Sequence, residues 1–196
     1  TFVTSSTEFN LSATNIAGID GIWYKIDAAG MWTLYGSNFT IITEGLHTIY
    51  YNATDNLGNT EIPKAFAVIV DNTPPTTTPT IDTPKVTIAG TTYFTSSTKF
   101  ALTAPDAAST WYRVWNATSG WSGLTQYTAP FTISGDDGIR YIEYNSTDNV
   151  TNQETPNNYT AISELYLDNT EPLTSLTIGA PKHISGSDTF VSTSTE

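Results

Sequence analysis

The sequence predicts an all-β protein made of small β-sandwiches in tandem. Three observations carry this. Ser and Thr together make up 54 of the 196 residues, and Thr, β-branched, favours strands. Runs of alternating apolar residues recur with turn signals every 8–12 residues or so, the spacing of sandwiches and barrels. The octet Thr1-Phe-Val-Thr-Ser-Ser-Thr-Glu8 returns as Thr92-Tyr-Phe-Thr-Ser-Ser-Thr-Lys99 and again as Thr189-Phe-Val-Ser-Thr-Ser-Thr-Glu196. The copies begin 91 and then 97 residues apart, the size of an autonomous domain and too long for a solenoid unit.

Aligning the copies assigns the strands in order. Phe9, Leu11 and Ala13 alternate with polar residues, as do Phe100, Leu102 and Ala104. Trp23-Tyr-Lys-Ile-Asp27 matches Trp111-Tyr-Arg-Val-Trp115, and Trp32 with Tyr35 and Phe39 matches Trp121 with Tyr127 and Phe131. His47 to Asn56 matches Arg140 to Asn149, and Val68 to Thr73 matches Leu165 to Thr170. Side chains alternate between faces of a strand, so positions apolar in both copies point inward. Ile49, Tyr51 and Ala53 are then core, with Ile142, Tyr144 and Ser146 as counterparts. Tyr24, Ile26, Tyr112 and Val114 also point inward. Trp23 and Trp111 fall on the outer face, beside Lys25 and Arg113, as a candidate contact surface.

Proline marks the boundaries. Asp71-Asn-Thr-Pro-Pro75 opens a Thr/Pro-rich stretch running to Thr80, and Asp168-Asn-Thr-Glu-Pro172 is its counterpart. Such connectors are extended and semi-rigid. The expected organisation is residues 1–71 as a domain lacking its opening strand, 72–168 as a complete domain, and 169–196 as the opening segment of a further repeat. The last assignment rests on Pro181-Lys182 repeating Pro84-Lys85 and Ile178 repeating Ile81.

Charge and composition narrow the function. The net charge of -12 repels polyanions, so nucleic acid is not an expected partner. Hydrophobic content of 38% suffices for small packed cores. Cysteine is absent, which suits a prokaryotic surface protein better than a disulfide-stapled secreted domain. No apolar run of transmembrane length occurs in the segment.

Taken together, the Trp-Tyr-Lys-Ile-Asp strand, the stretch Glu44 to Asn59 with its Asp-Asn-x-Gly-Asn turn, and the Asp-Asn-Thr-Pro-Pro connector resemble one family. It is the Ig-like repeat found in tandem on archaeal and bacterial surface proteins and as spacers in extracellular glycoside hydrolases. The second copy departs from it, with Asp148-Asn-Val-Thr-Asn152 lacking the glycine and Glu171 in place of a proline. The resemblance implies Ig-like or fibronectin-like sandwiches joined by Pro/Thr-rich linkers, an extracellular or cell-surface location, and no catalysis.

The residues agree. His47 and His183 are the only histidines and are not repeat equivalents, and no nucleophile elbow, zincin motif or phosphate loop is present. The expected role is a structural module of a surface layer, stalk or filament, whose partners are copies of itself or neighbouring repeats. Strand complementation between subunits is one mode of assembly; the other is a longer array in which the missing strand is supplied in the same chain. The alternative is an adhesin or a carbohydrate-binding spacer, with surface glycans as partners. Glycosylation acceptors occur at Asn10, Asn38, Asn52, Asn116, Asn145, Asn149 and Asn158. Asn52 and Asn145 are repeat equivalents expected on the outer face. No cofactor is required, although Asp55, Asn59, Asp71, Asp148 and Asp168 offer hard oxygen ligands that could gather around calcium. The same residues are also ordinary turn formers.

Overall fold

The computed structural model describes residues 1–158, 164–180 and 182–191. Pro181 and the last five residues of the third octet, 192–196, therefore lie outside the described residues. The described residues form strands, turns and connecting segments with no helix, so none is long and apolar enough to cross a membrane.

The first unit is a five-stranded sheet. β1 (Phe2–Val3), β2 (Ile19–Ile26), β3 (Thr33–Leu34), β4 (Gly45–Asp55) and β5 (Lys64–Val70) lie in the order β1-β5-β4-β2-β3. β1 runs parallel to β5 and the remaining neighbours are antiparallel. Against this sheet lies a very thin second layer: an isolated bridge between Phe9 and Phe39. Ile41, Ile49, Val68 and Val70 fill the space between, with Val3, Phe9, Ile26, Phe39 and Tyr51 packed around them.

The second unit repeats this plan with more strands. It begins with β6 (Thr78–Ile81), β7 (Lys85–Ile88), β8 (Thr91–Phe94) and β9 (Lys99–Thr103), followed by β10 (Ser109–Asn116), β11 (Gly120–Trp121) and β12 (Thr125–Gln126). β13 (Phe131–Thr132), β14 (Gly138–Thr147), β15 (Asn157–Asn158) and β16 (Glu164–Leu167) complete it. The large sheet follows the path β11-β10-β14-β16-β8-β7, and the facing layer is β13-β9-β6. Beyond it, β17 (Lys182–Ser185) and β18 (Asp188–Val191) form a separate hairpin.

The two cores are copies at the level of ring geometry. Tyr24 stacks on Phe39 at 4.0 Å and Tyr112 on Phe131 at 3.9 Å. Phe9 stacks on Phe39 at 5.5 Å and Phe100 on Phe131 at 5.7 Å. Tyr35 and Tyr127 each meet the same pairs edge-on. The inward set read from alternation is the observed one: Ile49, Ile142 and Tyr144 are buried, and Tyr51, Ile26, Tyr112 and Val114 pack against the cores.

The repeated octet has a mechanical job. Its Thr-Ser-Ser-Thr core is a turn in which the Thr4 N–H donates to the Thr7 hydroxyl at 3.1 Å, and Thr95 to Thr98 at the same distance. The next N–H, from Ser5 or Ser96, donates to the side-chain oxygen of Asn72 or Asn169. The octet thereby ties the start of each unit to the Asp-Asn-Thr at its end. Turn and parallel strand pair (β1 with β5, β8 with β16) form one clasp.

The Thr/Pro-rich stretch is a connector only in its first part. Pro75 and Thr77 are buried in the second unit, and Thr78–Ile81 is its first strand. The units also touch at the junction, where the Asn152 amide donates to the Asp71 carbonyl at 2.9 Å. They are therefore in contact, where an extended spacer alone would hold them apart.

The Asp148 to Asn152 turn reproduces the Asp55 to Asn59 turn despite its missing glycine. Asp55 accepts the N–H groups of Leu57 and Asn59, and Asp148 those of Val150 and Asn152, all at 2.9 Å. Gly58 sits at φ 84° and its counterpart Thr151 at φ 73°. A β-branched residue in the left-handed region is strained by about 1–2 kcal/mol, whereas glycine is at ease there. Thr151→Gly is expected to raise unfolding stability by about 0.5–1 kcal/mol after the entropy of glycine is deducted. Urea unfolding with an unchanged slope checks this.

Candidate functional surface

The outer face of each large sheet carries a row of aromatic and cationic side chains. In the first unit the Lys25 ammonium lies 5.5 Å from the Trp32 ring centre and 5.1 Å from that of Tyr50. In the second, the Arg113 guanidinium covers Trp121 at 4.7 Å while its Nε donates to Glu143 at 2.6 Å. That hydrogen bond, reinforced by the Glu143 charge, raises the Arg113 pKa further against the opposing effect of burial. Trp115 and Tyr141 stack at 4.9 Å beside them. The arrangement follows from alternation along β2 and β10, which delivers Trp23, Lys25, Trp111 and Arg113 to the same face.

Trp23 is 37% exposed, and Trp32 and Trp121 are 40% and 38%. Trp111 is half-buried, with its indole N–H donating to Ser109 at 3.3 Å. Of the two tryptophans expected as a contact surface, only Trp23 is exposed. Trp32 and Trp121 are better matched to each other, and alternation missed them because they lie outside the long strands. Each has a cation held against its ring, an attraction that fixes the side chain in place.

The acceptor asparagines differ in access. Asn10, Asn38 and Asn149 are exposed, while Asn52, Asn116 and Asn145 are half-buried. Asn52 and Asn145 do lie on the outer face, paired across the sheet with Trp23 and Trp111. Both are half-buried, and the Asn52 Oδ1 is buried without a hydrogen-bond partner. Asn10 and Asn38 form a chain, with Asn10 donating to the Asn38 side-chain oxygen at 2.8 Å and Asn38 to Glu8 at 3.0 Å. Asn158 lies in β15.

The aspartates proposed as hard ligands each accept hydrogen bonds from their own turn. Besides the N–H bonds above, Asp55 and Asp148 accept from the Asn59 and Asn152 amides at 2.9 and 2.8 Å. Asp71 and Asp168 accept from the Thr73 and Thr170 N–H groups, each at 3.1 Å. Among the described residues no three His, Asp or Glu side chains gather to share a metal. Calcium at either turn would have to displace donors already in place.

Two clefts lie along residues 9–15 of the first unit. A polar one, about 470 Å³, is lined by Ser12 to Asn15, Ala53, Asp55, Asn59, Glu61 and Lys64. An apolar one, about 230 Å³, is lined by Phe9, Leu11, Phe39, Ile49, Tyr51 and Phe66. The corresponding residues of the second unit are covered by β6. Phe100 and Leu102 are 2% and 6% exposed there, whereas Phe9 and Leu11 remain half-buried.

No protein-family model matches the chain, and no curated protein matches it. Among solved structures it is similar to the fibronectin(III)-like modules of Clostridium thermocellum CbhA, at 10% identity over 85% of this chain and 87% of that one, with a TM-score of 0.39. It is also similar to the D00-D0 domain of Intimin, at 10% identity over 81% of this chain and 94% of that one, with a TM-score of 0.34. At this identity the likeness concerns the fold alone, and the all-β class rests on the sheets described above.

The carboxylates of the turns set the acid limit. The Asn59 side chain and N–H groups hold the Asp55 pKa below its ordinary 3.8. The Thr170 hydroxyl and Asn169 N–H do the same for Asp137, and the Thr48 N–H and His47 for Asp27. A folded pKa below the unfolded one gives stability present in full above the unfolded value and lost as pH falls through the lowered one. The melting temperature is expected to hold down to about pH 5 and to drop below about pH 4, less steeply in Asp137→Asn. A calorimetric pH series reads this directly.

Proposed function

We propose that the chain is a non-catalytic structural module of an extracellular surface layer, stalk or filament, with sandwiches strung end to end and strands exchanged between neighbouring copies. One observation carries this reading above the others. The two sandwiches repeat one aromatic core, one octet clasp and one Asp-centred turn, and they meet end to end where Asn152 holds the Asp71 carbonyl. Like units joined in one direction extend along a line, which suits a layer, stalk or filament.

Glycosylation fits the same reading, and Asn149 is its best-supported acceptor. Its sequon Asn-Val-Thr exists because Thr151 replaces the repeat's glycine. That threonine occupies a left-handed backbone position where glycine would be more stable. Strain retained at an exposed turn next to a unit junction is accounted for by the acceptor it creates.

The alternative is an adhesin or carbohydrate-binding spacer, favoured by the exposed Trp23, Trp32 and Trp121. Lys25 and Arg113 already sit over the rings of Trp32 and Trp121, which leaves less aromatic face for a sugar ring. Negative-stain microscopy of the purified chain is expected to show rods joined end to end, and a glycan array to show no saturable binding. Saturable binding abolished by Trp23→Ala would overturn the structural reading. Peptide mapping of chain from the native host is expected to find sugar on Asn149.

A further inference from the structure

One side chain in each unit holds the loop that enters the longest strand. In the second unit it is Arg140, 5% exposed, on the face of β14 that also carries Ile142 and Tyr144. Its guanidinium donates to the Asp136 carbonyl and, at 3.0 Å, to the Ile139 carbonyl. In the first unit His47 takes that place, since Glu44-Gly-Leu-His47 repeats as Asp137-Gly-Ile-Arg140. The His47 Nε2 lies 2.9 Å from the Thr43 carbonyl, the counterpart of the Asp136 carbonyl. Two different nitrogen donors thus grip the same backbone oxygen.

The gripped loop belongs to the junction. The residue that follows, Glu44 or Asp137, accepts the hydroxyl of Thr73 or Thr170 at 2.5 Å. Thr73 is part of the connector whose Asp71 carbonyl is held by Asn152 of the second unit. Contacts therefore run from the His47 ring through Thr43 and Glu44 to the segment between the units.

The two grips differ in chemistry. A guanidinium stays charged at any working pH, whereas imidazole changes charge between about pH 5 and 8. Both partners of His47 are acceptors: the Thr43 carbonyl, and the Asp27 carboxylate, whose Oδ2 lies 2.8 Å from Nδ1. A neutral ring carries one N–H and leaves one of them facing a lone pair, while the imidazolium satisfies both. The side chain is 12% exposed, so little water is at hand to replace a lost partner. Asp27 is fixed in turn, its Oδ1 accepting the Thr48 N–H and its own N–H donating to the Thr48 carbonyl, each at 2.8 Å. The Thr48 N–H first and His47 second hold the Asp27 carboxyl below its ordinary 3.8, which keeps it a carboxylate. The other neighbours bring no competing charge. β5 sets Val68 opposite His47, Glu44 is turned to Thr73, and Lys25 of β2 lies on the outer face, donating to Ala28. Among the described residues Asp27 is the one carboxylate within ion-pair reach of the ring.

We propose that His47 is a pH-sensitive latch, whose protonated ring clamps Asp27 to the Thr43 loop and, through Glu44, tightens the first unit's hold on the connector. Loss of the ring proton releases that hold. Arg140 is the same latch without the switch. The folded arrangement accommodates the protonated ring better than the neutral one. Its contribution is therefore present in full on the acid side, down to where Asp27 takes up a proton, and is lost as pH rises and the ring gives up its own.

The test uses the full chain, in which His183 is the only other histidine. Melting temperatures are measured from about pH 5.5 to about pH 8.5, across the imidazole range, for wild type, His47→Arg, His47→Gln and His183→Gln. The growing negative charge of the chain acts on all four alike, so the differences between curves carry the result. Wild type and His183→Gln are expected to lose about 4 °C more over this range than either His47 variant. Equal slopes in wild type and His47→Gln would overturn the proposal. Backbone amide signals give a second reading that a merely stabilising side chain would leave unmoved. Between about pH 6 and 8 those of Glu44, Thr48 and Thr73 are expected to shift together, while those of Asp137 and Thr170 stay in place. Glu44 and Thr73 signals that stay in place in the wild type break the link to the connector, and the proposal with it.

Discussion

The four-residue ladder between Thr78–Ile81 and Lys99–Thr103 decides whether a sandwich of this design is closed. The large sheet of each unit is self-sufficient, with long strands that pair on both sides. The facing layer is not. It rests on one short strand carrying Phe100 and Leu102, or Phe9 and Leu11, and that strand has a free edge unless an extended segment lies against it. With β6 in place, Phe100 and Leu102 are buried; without it, Phe9 and Leu11 keep contact with water. Burying one aliphatic side chain such as Ile81 contributes about 1.5–3 kcal/mol, a sizeable share of the net stability of a small domain. The edge also exposes backbone groups that invite another strand.

The clasp built from the octet works at the opposite end of each unit. It fixes the parallel pairing of the first strand with the last, a geometry that no tight turn can enforce. Asn72 and Asn169 reach back to Ser5 and Ser96, so the start and end of a unit are held as one piece. Everything after the clasp is then oriented by it, including the connector. This is why Asp71 can present its carbonyl to Asn152 of the next unit, and why the segment following Asp168 projects away from the body of the second.

Much of the fold was legible in the sequence because the chain contains its own comparison. Period-2 alternation shared by Ile49 with Ile142 and Tyr51 with Tyr144 fixed the inward face, and it held. The second layer was less legible, since Phe39 and Phe131 lie in segments too short to show a period. The surface was read only in part. Alternation places Asn52 and Trp23 on one face but says nothing of how far the amide is buried. It also overlooked Trp32 and Trp121, whose partners Lys25 and Arg113 come from a different strand. The missing glycine at Asp148 does not reveal the shape of the turn, because carboxylate hydrogen bonds fix that turn and the backbone yields to them. The linker was read as too long for a related reason: Thr and Pro suit a spacer, but the buried Thr77 finds the half-buried Glu154 carboxylate and becomes part of the fold.

Substitutions between the copies show what the groove demands. In the second unit Thr110, Ser146 and Thr77 share a buried hydroxyl cluster, with contacts of 2.7 and 2.6 Å. In the first unit Thr110 and Ser146 are replaced together, by Ile22 and Ala53. Losing only one would strand a buried hydroxyl, whereas losing both leaves an apolar surface with nothing unsatisfied. Glu61 is retained, and among the described residues its ion-pair partner is Lys64 at the surface, a pairing that contributes little by itself. In the second unit its counterpart Glu154 accepts the Thr77 N–H and hydroxyl, so there the carboxylate fixes the start of β6.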